Sequence, residues 1–228
     1  MAMRRGKLKV LAEVSRPLSS GSRRGALRRS QLEAYDAVRE QLGAAKAVLI
    51  TGDVACKGAA ATGIAAASAA AGVRTALVEC DLAGPGLADA LGLAPVPGLH
   101  EYLGYDAEAS EILQPLVLAG PRSAGIKDPL VCVVAGEEAD DADALIDSES
   151  FGHAIAKMRG AYDLVVLDGP PLVEDRLCAL VAAQADTVVV CVKPSQADGK
   201  PGKELRRVAG RLPTSAAGLI LHGEPAES

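Results

Sequence analysis

Short, uninterrupted apolar runs alternate along the chain with longer amphipathic stretches. The runs are A-V-L-I-T (Ala47–Thr51), T-A-L-V-E-C (Thr75–Cys80), L-V-C-V-V-A (Leu130–Ala135), D-L-V-V-L-D (Asp163–Asp168), D-T-V-V-V-C-V (Asp186–Val192) and G-L-I-L-H (Gly218–His222). Apolar runs that do not alternate with polar residues predict strands buried on both faces, as in a parallel sheet. Between them, Gln31–Leu42 reads as a helix with Leu32, Tyr35, Val38 and Leu42 on one face. A second, alanine-rich helix is predicted over Ala59–Ala71, with Gly72 at its C-terminal cap. Further helices are predicted near Leu87–Leu91, Leu99–Leu103, Ala107–Leu113, Ser150–Arg159, Glu174–Gln184 and Lys203–Arg211. The acidic Glu137–Asp147 is expected to be a loop, and the polar Pro194–Gly202 a mobile connection. The expected fold class is therefore α/β: a mostly parallel central sheet with helices on both faces, in a single domain over 31–228.

Composition narrows the core. Apolar residues make up 49% of the 228, yet Trp is absent and Phe occurs once, so Ala, Val and Leu must do the packing. No apolar run reaches the roughly 18 residues that span a bilayer. The N-terminal stretch lacks the apolar centre of a secretory signal. Five cysteines (Cys56, Cys80, Cys132, Cys178, Cys191) show no metal-ligand spacing and read as reduced core residues of a cytosolic protein. Cys56 carries a second reading, a thiol made reactive by a helix N-terminus and Lys57. The net charge of −5 is unevenly spread: residues 1–30 hold nine Lys/Arg and the single acid Glu13. This basic stretch reads as a mobile arm, either a solvated leader or a contact for an anionic membrane surface. The basic helix Lys203–Arg211 reads as a solvated face, so nucleic acid is not the expected partner. His100 and His153 show no partner pattern.

The candidate chemistry gathers at strand ends. The run A-V-L-I-T leads into G-D-V-A-C-K-G and then the alanine-rich helix, a strand–loop–helix unit completed by the strand at Thr75. Such a loop aims backbone N–H groups, a lysine and the positive end of the helix dipole at an anion. In a parallel sheet, ligands bind beyond the carboxyl ends of the strands. Lys57, Glu79, Asp81 and Asp168 all fall at or just past those ends. Each has a plainer alternative: a surface lysine at a helix start, and carboxylates that cap helices and strand ends.

Five stretches, in order, resemble the bacterial tyrosine kinases of capsule and exopolysaccharide systems (BY-kinases), within the deviant-Walker group that includes MinD and ParA. Glu33–Arg39 (E-A-Y-D-A-V-R) is similar to that family's oligomerisation helix, and Lys57 lies the family's distance from an Ala-Gly turn at Gly72. L-V-E-C-D-L-A-G-P-G-L (Leu77–Leu87) resembles the second acidic motif, V-V-A-G-E-E (Val133–Glu138) the Pro-Ala-Gly segment, and V-V-L-D-G-P-P (Val165–Pro171) Walker B. The resemblance implies an ATP/ADP site over Gly52, Asp53, Val54, Ala55, Cys56, Lys57, Gly58 and Ala59, with His222 at the base-contacting strand end. It implies Mg²⁺ held by Asp81 and Asp168, and catalytic roles for Lys57, Glu79, Asp81 and Asp168. The implied partner is the cytoplasmic segment of a membrane polysaccharide co-polymerase. The implied location is the cytoplasm, at the periphery of the inner face of the membrane.

The sequence departs from that pattern at telling places. Cys56 stands where the loop has glycine, and Gly58 where it has the Mg²⁺-binding hydroxyl, leaving Thr51 and Thr62 as substitutes only by another geometry. Glu79 replaces an aspartate, His222 an asparagine and Asp36 an arginine. The tyrosines are Tyr35, Tyr102, Tyr105 and Tyr162, so the family's C-terminal tyrosine cluster has no counterpart. The expectation is a degenerate P-loop domain acting as a regulatory or partner-binding module with weak or no nucleotide binding. Two alternatives are an active ATP-dependent tyrosine kinase or ATPase, and a MinD/ParA-like positioning protein. The charge reversal at Asp36 predicts a monomer or small oligomer.

Overall fold

The computed structural model describes residues 8–14, 29–116, 130–173 and 175–223. Its strands are β1 (Val10–Val14), β2 (Ala47–Gly52), β3 (Thr75–Glu79), β4 (Gln114–Leu116), β5 (Leu130–Val133), β6 (Leu164–Asp168), β7 (Thr187–Val192) and β8 (Ala216–His222). They form one sheet in the order β1-β8-β7-β2-β6-β3-β5-β4. Every neighbouring pair is parallel except β4 with β5. The helices are α1 (Arg29–Leu42), α2 (Val54–Ala70), α3 (Leu87–Leu91), α4 (Leu99–Leu103), α5 (Ala142–Ile146), α6 (Glu149–Ala161), α7 (Asp175–Ala182), α8 (Pro194–Ala197) and α9 (Gly199–Ala209).

Strand side chains alternate between two separate cores. Val48, Ile50, Leu77, Val166 and Val189 join α1 and α2 on one face, while Leu49, Val78, Val165, Leu167 and Val190 join α6 and α7 on the other. Both faces are therefore dry, which is why these strands carry no polar alternation. Small residues let α2 lie close to its neighbours. A Cβ on Gly63 would stand 2.1 Å from the ring of Tyr35, so α1 and α2 can approach this closely only through glycine.

The expected fold class holds, with local corrections. Val10–Val14, assigned from sequence to a mobile arm, is an edge strand parallel to β8, with Leu11 and Val14 buried. Its seat is prepared from elsewhere: a Cβ on Gly218 would lie 2.2 Å from the Lys9 carbonyl oxygen. The remainder of that arm, 1–7 and 15–28, lies outside the described residues. Ala107–Leu113 forms turns rather than a helix and leads into β4. The acidic Glu137–Asp147 contains α5, and Pro194–Gly202 is helical through α8 and the start of α9. Polarity alone reads both as irregular, although Pro194 sits at the first turn of α8, where its missing N–H costs nothing.

Candidate functional site

The stretch after β2 is folded differently from the loop expected of it. Helix α2 begins at Val54 rather than Ala59, so nearly all of the predicted anion loop is helical. Gly52 ends β2 with φ +136°, and a Cβ there would lie 1.9 Å from the Cys191 carbonyl oxygen, so this one glycine is required. Asp53 then caps the helix, its Oδ1 accepting from Ala55 N at 2.9 Å. The Asp53 carbonyl accepts from Cys56 N and Lys57 N, both at 3.0 Å. Gln196, on α8, donates to Asp53 Oδ2 at 2.8 Å. Partial burial alone would raise the Asp53 pKa. The bonds from Ala55 and Gln196, with the charge of Lys193, hold it below the usual carboxylate range. The helix N-terminus thus already has an anion, supplied by its own chain. An aspartate directly before V-A-C-K is a helix-start signal that the sequence did offer; Gln196 gave none.

Lys57 is turned into the protein. Its Nζ lies 2.9 Å from Asp81 Oδ2 and 3.5 Å from Asp168 Oδ1, and all three side chains are buried. Burial alone would lower the lysine pKa, but the Asp168 and Asp81 carboxylates outweigh it, and the ammonium is held charged. Burial lifts Asp168 to about 6, with the neighbouring Glu79 and Asp81 charges adding to the rise and Lys57 opposing it. Topology produces this convergence. β2, β3 and β6 are adjacent and parallel, and Glu79 stands in register with Asp168.

Glu79 does not face the cluster as a free carboxylate. Its Oε1 accepts from Gly86 N at 2.6 Å and Leu87 N at 2.7 Å, and its Oε2 from Ala135 N at 2.9 Å. The extra methylene compared with aspartate lets one side chain tie β3 to the start of α3 and to the second residue past β5. The two threonines expected as substitutes are likewise placed for structure. Thr51 Oγ1 donates to the Pro170 carbonyl at 2.7 Å, and Thr62 is buried within α2. Gly58, where the family carries its hydroxyl, faces Asp168: a Cβ there would stand 3.3 Å from Oδ2.

His222 ends β8 and is 3% exposed, its Nε2 3.0 Å from the Tyr35 hydroxyl. Its Nδ1 is buried with no hydrogen-bond partner among the described residues. Desolvation lowers this imidazole's pKa to about 4, so it is neutral in the folded protein. Tyr35, which the sequence places on the helix's apolar face and in the motif like the oligomerisation helix, is the residue that seats His222. On the same helix, Asp36 pairs with Arg39 at 2.9 Å, so the reversed charge is met within α1. Val54 and Ala55 are exposed, whereas Cys56 is buried, and Ala59 lends its carbonyl to Tyr35 at 3.5 Å. Beside the α2 N-terminus lies a cleft of about 400 Å³, lined by Val54, Leu172, Val173, Leu205 and Val208 with Asp53 and Gln196. Among the described residues no helix is long and apolar enough to cross a membrane.

No family model matches the chain. Tyrosine-protein kinase wzc of Salmonella typhimurium is 27% identical over 120 residues, which are 53% of this chain and 15% of that protein. The chain thus matches only a small part of its curated relative's length. Among solved structures, the kinase domain of Escherichia coli tyrosine kinase ETK superposes with a TM-score of 0.79 at 19% identity, covering 97% of this chain and 92% of that one. The chimerical protein CapA2B2 gives 0.78 at 18% identity, over 96% and 95%. At these identities the structural likeness shows the fold: this chain has the P-loop architecture of bacterial tyrosine-kinase domains. The resemblance read from five sequence motifs is borne out at that level.

Proposed function

We propose that this chain is a BY-kinase-like domain whose nucleotide site has closed on itself, serving as a regulatory, partner-binding module of polysaccharide synthesis or export. The observation that carries this reading is the ion pairing of Lys57 with Asp81 and Asp168, beneath a helix N-terminus already capped by Asp53. A P-loop binds triphosphate with free amides, a free lysine and a metal-bearing hydroxyl. Here the helix's first amides bond Asp53, the lysine's charge is already paired with two aspartates, and Gly58 supplies no hydroxyl. These residues, so arranged, do not fit ATP with Mg²⁺, and no chemical step is derived through them. The apolar cleft with exposed Val54 and Val173 at its mouth supports a protein partner, and with the likeness to tyrosine-protein kinase wzc the reading takes that partner to be the cytoplasmic segment of a membrane polysaccharide co-polymerase.

The grouping of Lys57, Asp81 and Asp168 at one sheet end favours a second reading, an ATPase or tyrosine kinase formed when the first turn of α2 unwinds. Calorimetry separates the two. On the first reading, ATP and ADP bind more weakly than roughly 1 mM with or without Mg²⁺, about −4 kcal/mol. Cys56→Gly combined with Gly58→Thr, which restores the phosphate approach and the hydroxyl, should then raise affinity in a Mg²⁺-dependent way. Tight Mg²⁺-dependent binding by the unmodified chain would overturn the first reading and establish the second.

A further inference from the structure

Helix α9 has one face that the core does not use. Leu205, Val208 and Ala209 turn inward onto the core. Gly202 sits against the Ala197 carbonyl oxygen, where a Cβ would stand 2.1 Å away, so the helix is held close against α8 in a fixed rotation. That rotation turns Lys200, Lys203 and Arg207 outward, all exposed. Their spacing places them in one stripe of a helical surface. Exposed Arg211, just past the helix, extends it. From Gly199 to Arg211 the chain holds five basic residues against the single acid Glu204. Arg207 Nε meets Glu204 Oε2 at 2.9 Å, whereas among the described residues Lys200 and Lys203 enter no ion pair. Beside the stripe stand two apolar tips, Val54 at the start of α2 and Val173 after β6, which are 70% and 85% exposed. They share the walls of the cleft with Leu205 and Val208. The exposed acids Glu137, Glu138, Asp140 and Asp141 follow β5, four places along the sheet from β7.

We propose that this face docks on an anionic phospholipid membrane, the basic stripe of α9 meeting lipid phosphates while Val54 and Val173 enter the acyl boundary. Charge complementarity carries the assignment: basic side chains at such a surface each add attraction, and an apolar edge beside them adds burial. The composition of the patch selects lipid over the other anionic partners. Protein interfaces concentrate arginine and aromatic side chains and are poor in lysine. Here the outermost charges are two lysines, and no aromatic residue stands among the residues of the stripe or the cleft wall. Single-stranded nucleic acid is gripped by stacking on aromatic rings, and protruding valines gain nothing on a phosphate backbone. The acidic residues after β5 are repelled by the same lipid charge, so docking has one orientation, with the mouth of the cleft toward the membrane. A segment emerging from the bilayer would meet the cleft directly. The docking face stands whether or not the cleft takes such a segment, and whether or not the chain binds nucleotide.

The test uses the full chain and co-sedimentation with vesicles of phosphatidylcholine, alone or mixed with phosphatidylglycerol, across a salt series. The expected result is binding to the mixed vesicles only, weakening as salt screens the charges. Lys200→Gln combined with Lys203→Gln should weaken it by roughly 25-fold, the worth of two basic residues at an anionic surface. Val173→Asp alone should also weaken it several-fold. All three side chains are exposed, so thermal melting by circular dichroism should match the parent. Residues 1–30 are unaltered in every variant, so binding carried by that basic stretch would not fall. Undiminished binding by the variants, equal binding to phosphatidylcholine alone, or no binding to either vesicle would each overturn the proposal. So would capture of duplex DNA or polyglutamate without capture of vesicles.

Discussion

Removing the Lys57 charge distinguishes a closed site from an open one by stability alone, without any ligand. In an open anion loop the lysine waits in solvent, and Lys57→Met would leave the resting protein's stability nearly unchanged. Here Nζ lies 2.9 Å from Asp81 and 3.5 Å from Asp168, with the lysine 6% exposed and the aspartates 5% and 3%. Methionine fills much the same volume but leaves two buried carboxylates facing one another, with Glu79 next in register. Removing one partner of a buried ion pair costs about 3–5 kcal/mol, because an uncompensated charge stays out of water. For a chain of this size each kcal/mol moves the melting temperature by about 2–4 °C, so Lys57→Met should melt roughly 6–20 °C below the parent. The control is Arg74→Met, which breaks the exposed pair with Asp163 and should leave the melting temperature nearly unchanged. A triple variant, Lys57→Met with Asp81→Asn and Asp168→Asn, removes all three charges and should recover most of the loss. Thermal and urea denaturation followed by circular dichroism read all four proteins. If Lys57→Met melts within about a degree of the parent, the lysine is not held as described and the reasoning fails.

Two further outcomes follow from buried groups. His222 is neutral in the folded chain with a pKa of about 4, against an ordinary value of 6.5. Its folded pKa is depressed, so as pH falls from about 6.5 toward 4 the unfolded chain takes up a proton that the folded one refuses, and stability drops by about 3 kcal/mol. His222→Asn should flatten that part of the stability–pH curve, and an unchanged slope in urea titrations would refute the burial. Glu79→Asp restores the family's residue but shortens the arm that reaches Gly86, Leu87 and Ala135. Each amide left unsatisfied costs about 1–3 kcal/mol, so the variant should lose stability by several kcal/mol in urea and gain no nucleotide affinity in calorimetry.

What the sequence revealed and what it withheld divide along physical lines. The central strands were legible because burial on both faces forces continuous apolar runs, and Val48, Leu77, Val166 and Val189 sit where those runs placed them. β1 was not legible, because five residues inside a basic stretch carry little pattern, and the evidence for them is the missing side chain of Gly218, some two hundred residues away. β4 hid for a related reason: Pro115 lies within it, and proline is tolerated only at the sheet edge that β4 occupies. The convergence of Lys57, Glu79, Asp81 and Asp168 could be read from strand ends alone. Their partners could not. Whether Lys57 faces an anion or two aspartates depends on where α2 begins, and that is fixed by Asp53 together with Gln196 on a distant segment.

That dependence also bears on the three charged residues beside a loop that carries Cys56 and Gly58 where the resembled family has a glycine and a hydroxyl. A buried lysine with no anion is expensive, and so are two buried carboxylates with no metal. Here each meets the other: the lysine is the counter-ion of the two aspartates. On the proposed reading, Lys57, Asp81 and Asp168 are kept because removing any one strands the others in the core. Their joint presence is therefore no argument for catalysis. Stability measurements on single and combined variants, rather than the motif, decide between the two readings. A catalytic constellation would lose activity residue by residue with little change in melting. A structural one loses stability when broken singly and regains it when all three charges are removed together.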